Sequence, residues 1–331
     1  MLITFVYMKA TLTLFSTCLL VFQVLLPAGP AFGTEDSLEV YPEELGAGVW
    51  YLRGDSGMAT TANRGFMSNA GFVVGSDGIA VFDTLATPVL GEALLRAIRR
   101  ISDKPIRYVI TSHYHADHFY GLQAFVGTGA QLLGHTNGQR YLGSEDAVNR
   151  LAQRREALAP WVDDQTRLVT ADHWLDFSEV RTLMLDLGEL HLELTDVSGS
   201  HSDSDIMMRV VERNILFAGD LFATGRLPFV AGANTGRWLE ILSALEQSGA
   251  SIVVPGHGQA SRKVPADIAL TERYLLFLRA AMGQAVDELV PFSEAYAVTD
   301  WTGFEDLPTF AVANRRNAYS VYLEMEAASF D

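Results

Sequence analysis

Five of the eight histidines in this 331-residue chain fall in three short motifs, and each motif sits where an apolar run ends or turns. The first, His113-Tyr114-His115-Ala116-Asp117-His118, directly follows the apolar, β-rich run Ile106–Thr111. In an extended segment residues i and i+2 point the same way, so His113 and His115 can share one metal ion. Asp117 and His118 open the next turn or helix, point elsewhere, and suit a second ion nearby. The second motif, Gly199-Ser200-His201-Ser202-Asp203-Ser204, occupies a turn between two predicted strands. The third, Pro255-Gly256-His257-Gly258, ends a strand, where glycines let the backbone turn sharply. Between them Phe217-Ala218-Gly219-Asp220 puts an acid at the end of an apolar strand. Six nitrogen or oxygen ligands and one carboxylate able to bridge make a two-metal site. A lone strand-end His or Asp is usually a cap or a turn residue. Four such motifs in this order, each at a strand end or turn, are not explained that way. His135, His173 and His191 match no motif and read as surface or satisfied core histidines.

A fold that gathers these motifs must bring distant strand ends to one edge. The patterning supplies such a fold. Val49–Leu52 and Gly71–Val74 read as short strands, and Gly78–Asp83 follows after a Ser-Asp-Gly turn. Pro88–Ile101 carries Leu90, Leu94, Leu95 and Ile98 at helical spacing. Asn137–Leu158 reads as a helix with Arg150, Arg154 and Arg155 near one face, expected to be solvated rather than a binding patch. Leu183–Leu187, Leu190–Val197, Ile206–Val211, Asn214–Ala218 and Ser251–Val254 are further strands, with the helix Arg237–Leu245 before the last. Residues 265–331 are mostly helical, rich in aromatics and joined without a glycine-rich linker, so they belong to the same folding unit. They are expected to cover either the cleft or a dimer interface. Strands alternating with helices predict an α/β architecture of two similar halves, and open α/β sheets place sites at strand ends.

Composition narrows the function. Hydrophobic residues make up 49% and charged residues 19%, which predicts a packed core. A net charge of −16 disfavours nucleic acid as a partner, because phosphate neutralisation needs clustered basic surface. One cysteine, Cys18, excludes a disulfide framework and any multi-cysteine zinc site. Leu12–Ala28 is mostly apolar and uncharged, Lys9 precedes it, and Ala31-Phe32-Gly33 follows as a small-x-small site. Residues 1–33 therefore read as a secretory signal peptide, residues 34–331 as the mature domain, and the protein as periplasmic or secreted without a stable membrane anchor. Met8 is an alternative start.

With these residues in hand, the sequence resembles the metallo-β-lactamase-fold superfamily. The five motifs of that superfamily match Asp83, HYHADH at 113–118, GSHSDSD at 199–205, FAGD at 217–220 and PGHG at 255–258. The resemblance spans roughly Val49 to Gly258 and implies an αββα sandwich with a metal site at one edge. It implies that His113, His115 and His201 hold one metal, that Asp117, His118 and His257 hold the other, and that Asp220 bridges them. Asp83 is then expected to steady the loop carrying the first motif. The secretion signal, the stretch SNAGFVVGSDGIAVFDT and the tail DWTGFEDLPTFAVANRRNAY resemble exported SoxH-like hydrolases and the zinc hydrolases of quinoprotein relay systems. Two lactamase subclasses carry Cys where Asp220 stands and a third carries a small residue. Asp220 is instead the glyoxalase-II-like choice. His115 departs from the Glu of flavodiiron proteins, and no additional nuclease domain is recognised.

The expected activity is that of an exported dinuclear zinc hydrolase. A metal-bridging hydroxide attacks a thioester, ester or lactam carbonyl of a small molecule, with Asp117 and Asp220 as the catalytic carboxylates. Iron or manganese also suits these ligands. Two alternatives share the motif set: an iron-dependent persulfide dioxygenase, and a non-catalytic metal-bound periplasmic partner of a sulfur- or quinoprotein-oxidation system. Phe222–Asn234 is expected to form a substrate wall. Arg226 and Arg237 are candidates for a local basic patch, and Tyr114 and Tyr120 are expected to pack structurally.

Overall fold

A computed structural model describes residues 38–330; the proposed signal peptide lies outside them. Strands β1 (Glu43–Gly46), β2 (Val49–Leu52), β3 (Ala70–Val74) and β4 (Ile79–Phe82) form an antiparallel meander. Helix α1 (Pro88–Ile101) then crosses to β5 (Ile106–Ile110). A one-turn helix, α2 (Ala116–Phe119), and a 3-10 turn at Tyr120–Phe125 lead into β6 (Gln131–His135). Helices α3 (Gly138–Leu142) and α4 (Glu145–Ala157) precede the edge strand β7 (His173–Leu175). These seven strands lie in chain order, with β4 to β7 parallel. The second sheet holds β8 (Thr182–Asp186), β9 (His191–Asp196), β10 (Ile206–Val210) and β11 (Ile215–Ala223) as antiparallel neighbours. Helix α5 (Thr235–Glu246) carries the chain to β12 (Ile252–His257), which lies parallel to β11. Helices α6 (Val264–Asp287), α7 (Phe292–Val298) and α8 (Phe310–Ala328) close the chain.

The layers follow from which faces are apolar. Val73, Phe82, Ile110, Leu192, Met208 and Phe217 meet between the two sheets, with the Phe82 and Phe217 rings 5.6 Å apart. The opposite face of the first sheet offers Phe72, Val81 and Val109 to Leu90, Leu94 and Ile98 of α1. That helix starts where Thr87 Oγ1 accepts from Leu90 N at 3.4 Å and Pro88 occupies the first turn, which needs no N–H donor. The outer face of the second sheet is covered by Trp238 of α5, Tyr274 and Leu278 of α6 and Val321 of α8. The result is the expected αββα sandwich, and the C-terminal helices share its core. No helix among the described residues is long and apolar enough to cross a membrane.

Three details differ from the sequence reading. The helix expected over 137–158 is two helices, because Ser144 Oγ accepts from Ala147 N at 3.3 Å and starts a new one after Gly143. Strand β11 does not end at Ala218. It shifts register at Gly219, which takes φ 55°, and runs on to Ala223, so Asp220 lies within the strand and not at its end. The short strands β1, β6 and β7 carry too little β-branched alternation to be legible.

Candidate metal centre

Parallel register sets up the site. Phe82 pairs with Ile110 in the first sheet, and Phe217 pairs with Val254 in the second. The residues just beyond these pairs, Asp83, His113–His118, Asp220 and His257, therefore emerge at one edge, as parallel strands that end together require. The turn after β9 brings His201 to the same place. There Asp205 accepts from Ser202 N at 2.6 Å, Ser202 Oγ at 2.6 Å and Ser200 Oγ at 3.0 Å, folding the His201 loop back on itself. Burial pushes the Asp205 carboxyl up to about 7.

Two sets of potential ligand atoms each lie within 4.8 Å of one another: His113, His115, His201 and Asp220, and Asp117, His118 and His257. Asp220 stands between them. Its Oδ2 is 3.5 Å from His201 Nε2 and 3.3 Å from His257 Nε2, and its Oδ1 is 3.1 Å from His118 Nε2. Asp117 Oδ2 is 3.3 Å from His257 Nε2. Every ligand predicted from the sequence is brought into this cluster. Gly256 makes the approach possible, because a side chain there would collide with Asp220 Oδ1.

Neighbouring groups fix which ring nitrogens face inward. His113 Nδ1 is 2.9 Å from Ser112 Oγ, His118 Nδ1 is 2.9 Å from Asp83 Oδ2, and His257 Nδ1 donates to Met67 O at 2.6 Å. Their Nε2 atoms are left for the centre, the tautomer control expected around a metal site. Asp83 also accepts from Ser112 N at 2.7 Å and Ser112 Oγ at 2.8 Å. Thus it steadies the first motif as expected and additionally orients His118. It does so at φ 62°, a left-handed conformation that Asp tolerates better than most residues. Asn69 was not singled out from sequence. It clamps the third motif by donating to Pro255 O at 2.7 Å and Gly258 O at 2.8 Å. Ser68 Oγ bonds the Asp117 carbonyl.

The electrostatics suit cations. Burial lowers the pKa of His113 and His115 and takes His201 down to about 3, so these rings stay neutral and available as donors. For His118 burial acts downward too, but Asp220, Asp83 and Asp117 outweigh it and the pKa rises. For His257 the same opposition, led by Asp220, also ends in a rise. Burial would raise Asp117 and Asp220, but the neighbouring histidines hold both carboxyls well below the usual range. His113 Nε2 is buried without a hydrogen-bond partner, and the buried pair His118 Nε2 and Asp220 Oδ1, although 3.1 Å apart, is not aligned as a hydrogen bond. Such orphaned imidazole nitrogens around carboxylates fit divalent metal ions, and nothing in the donor set opposes them.

Residues outside the ligand set behave less as expected. Arg226 is fully buried, lies over the Phe229 ring at 5.4 Å and donates to Gly57 O at 3.2 Å. Arg237 pairs with Glu240 at 3.0 Å, so the two arginines form no shared patch. Arg150 and Arg154 are not merely a solvated helix face: both line the cleft above the ligands, whereas Arg155 turns away to Asp163 O and Thr166 O. That correction was invisible in sequence because it depends on α8, whose Arg316 and Val312 close the same cleft. Phe229 and Ala231, from the segment Phe222–Asn234, line the same cleft. Tyr114 and Tyr120 are buried with Phe119 between them, a packing role. His135 is satisfied by Asp196 at 3.3 Å and Asn137 N at 3.0 Å, and His191 by Glu212 at 2.6 Å.

Comparison with known proteins agrees with this geometry. The family model described as "Metallo-beta-lactamase superfamily" matches residues 63–257, more than half of the chain. A linear primary-alkylsulfatase from Pseudomonas sp. (strain ATCC 19151) is 38% identical over 50 residues, 15% of this chain and 10% of the relative. The solved structure of a stereoselective inverting sec-alkylsulfatase from Pseudomonas sp. superposes with a TM-score of 0.69 at 18% identity, covering 88% of this chain and 52% of that one. The chain therefore spans about half of that alkylsulfatase and a tenth of the curated one. A metallo-beta-lactamase from Pontibacter korlensis superposes with a TM-score of 0.54 at 19% identity, covering 72% of this chain and 99% of that one.

Proposed function

Because the chain belongs to the metallo-beta-lactamase superfamily, we propose that it is a metal-dependent hydrolase of a small molecule, with two zinc ions bound at the strand-end cluster. The observation that carries this is the position of the Asp220 carboxylate, within 3.5 Å of His118, His201 and His257 at once. In this reading His113, His115 and His201 hold one ion, Asp117, His118 and His257 hold the other, and Asp220 serves both. Bound divalent ions supply Lewis acidity and lower the pKa of water enough to make it a nucleophile near neutral pH.

The chain's own residues do the rest. Asp83, Ser112 and the Met67 carbonyl hold three imidazoles in the tautomer that directs Nε2 inward. Asp117 and Asp220 stay ionised, which offsets repulsion between two dications and provides acceptors for a water proton. Phe229, Ala231, Met58 and Val312 form the apolar part of the cleft wall and limit the water around the substrate.

The substrate is a thioester, ester or lactam. A sulfate ester is a second reading, supported by the likeness to two alkylsulfatases. The apolar segment before Glu35 supports export to the periplasm or beyond. The test is elemental analysis of the purified protein followed by a turnover panel of esters, thioesters, lactams and alkyl sulfates. Two zinc ions per chain with turnover of one class supports the proposal. A single iron with oxygen uptake supports the persulfide dioxygenase instead, and full metal loading without turnover supports a non-catalytic partner.

A further inference from the structure

The cleft above the ligand cluster gathers arginines in an otherwise acidic chain. It consists of two adjoining cavities of about 720 and 380 Å³, which share His115, Tyr141, Arg150 and Arg316. The chain has a net charge of −16, yet Arg140, Arg150, Arg154 and Arg316 all line this cleft, together with Asp146, Asp203 and the ligand carboxylates Asp117 and Asp220. Arg150 and Arg154 are one turn apart on α4, where like charges repel. Among the described residues no carboxylate lies within ion-pair distance of Arg150, Arg154 or Arg316, and Arg154 Nε is buried without a partner. Arg96, Arg100, Arg181, Arg209, Arg237 and Arg279 do have an acidic partner within 4.0 Å.

From this we infer that Arg150 and Arg154 of α4 with Arg316 of α8 form an oxyanion-binding subsite, which selects substrates carrying a carboxylate or sulfonate-type group remote from the bond that is cut. Guanidinium forks suit such groups, since each offers parallel N–H donors to two oxygens. The adjoining cavity also exposes Met58, Phe229 and Val312. A short apolar spacer between the reacting group and the oxyanion packs there. The favoured ligand is therefore amphipathic and doubly functional: one end at the metal ligands, the other at the arginines. Because one face of the subsite lies on α8, the C-terminal helices contribute to substrate choice as well as to the core.

The inference rests on the hydrolase reading for its substrates, but the binding test does not need turnover. Metal-loaded protein is titrated calorimetrically with the dicarboxylates from malonate to suberate, with monocarboxylates of equal length, and with 6-sulfohexanoate. At least one dicarboxylate is expected to bind tenfold or more tightly than its monocarboxylate, and the advantage is expected to shrink as salt rises. The variant Arg150→Gln/Arg154→Gln removes that advantage, and Arg316→Gln, on a different helix, reduces it independently. The better binder of adipate and 6-sulfohexanoate identifies the oxyanion. Equal binding of mono- and dicarboxylates by the wild type overturns the inference. So does an undiminished dicarboxylate advantage in both variants with metal content and circular dichroism intact. Failure of the turnover panel alongside a clear dicarboxylate advantage sinks the hydrolase reading and leaves the subsite standing.

Discussion

Replacing Asp83 separates the two tasks this carboxylate performs. It accepts from Ser112 N at 2.7 Å, Ser112 Oγ at 2.8 Å and His118 Nδ1 at 2.9 Å. All four groups are buried, so none of these bonds is replaced by water when it is lost. Asp83→Asn keeps a carbonyl acceptor for the Ser112 amide and tolerates the φ of 62°, as Asn does. What it removes is Oδ2, the acceptor for Ser112 Oγ and His118 Nδ1: the amide NH2 in its place cannot accept, so the charged bond to His118, about 1.5–3 kcal/mol, is lost. Removing such an outer partner of a metal-ligating histidine weakens metal binding by roughly 10–100-fold. Asp83→Ala additionally strands the Ser112 amide, about 1–3 kcal/mol, and places alanine in the left-handed region, about 1–2 kcal/mol. Stability should therefore fall by about 2 kcal/mol for Asn and about 4–5 kcal/mol for Ala, with the His118 metal lost first in both. Urea unfolding of metal-free protein measures the first effect, and competition against a chromogenic chelator measures the second. If Asp83→Asn leaves both metal affinities unchanged, the idea that Asp83 sets the His118 tautomer is wrong.

Three further outcomes are expected. Asp220→Asn should release the metal of the Asp117, His118 and His257 set while His113, His115 and His201 stay loaded, with hydrolysis falling by more than ~100-fold; two ions retained at full turnover would refute the bridging role. Burial raises Asp205 to about 7, above its unfolded value, so its contribution is full below pH ~4 and is lost as pH rises toward 7; unfolding of metal-free protein at pH 5 and 8 should show a loss of about 2.5–3 kcal/mol, and Asp205→Asn should flatten it. Trp238 is fully buried, donates to Leu221 O at 2.6 Å and lies edge-on to His201 at 5.1 Å; Trp238→Ala should destabilise by about 3–5 kcal/mol and loosen metal binding through His201, whereas an unchanged melting temperature would show that the helical layer is not coupled to the site.

The ligand set was legible in sequence because it rests on local rules. Residues i and i+2 of an extended segment face one way, which paired His113 with His115, and a glycine beside a strand-end histidine marks a sharp turn, which flagged His257. Helix α1, Pro88–Ile101, was legible from its apolar stripe. Other features depend on contacts distant in sequence. Asn69 reaches Pro255 O and Gly258 O across nearly two hundred residues, and Arg150 and Arg316 share a cleft from separate helices. No local pattern marks such partners. The place of Asp220 within β11 was missed because a register shift at Gly219 lets a strand turn its side chains without ending.

The most direct test of the account is a crystal structure of the metal-loaded protein with anomalous data collected on both sides of the zinc absorption edge. Two zinc peaks roughly 3.5–4 Å apart are expected, one among His113, His115 and His201, the other among Asp117, His118 and His257, with Asp220 touching both. A single peak, or ions bound away from these residues in protein that retains full hydrolytic activity, would contradict it.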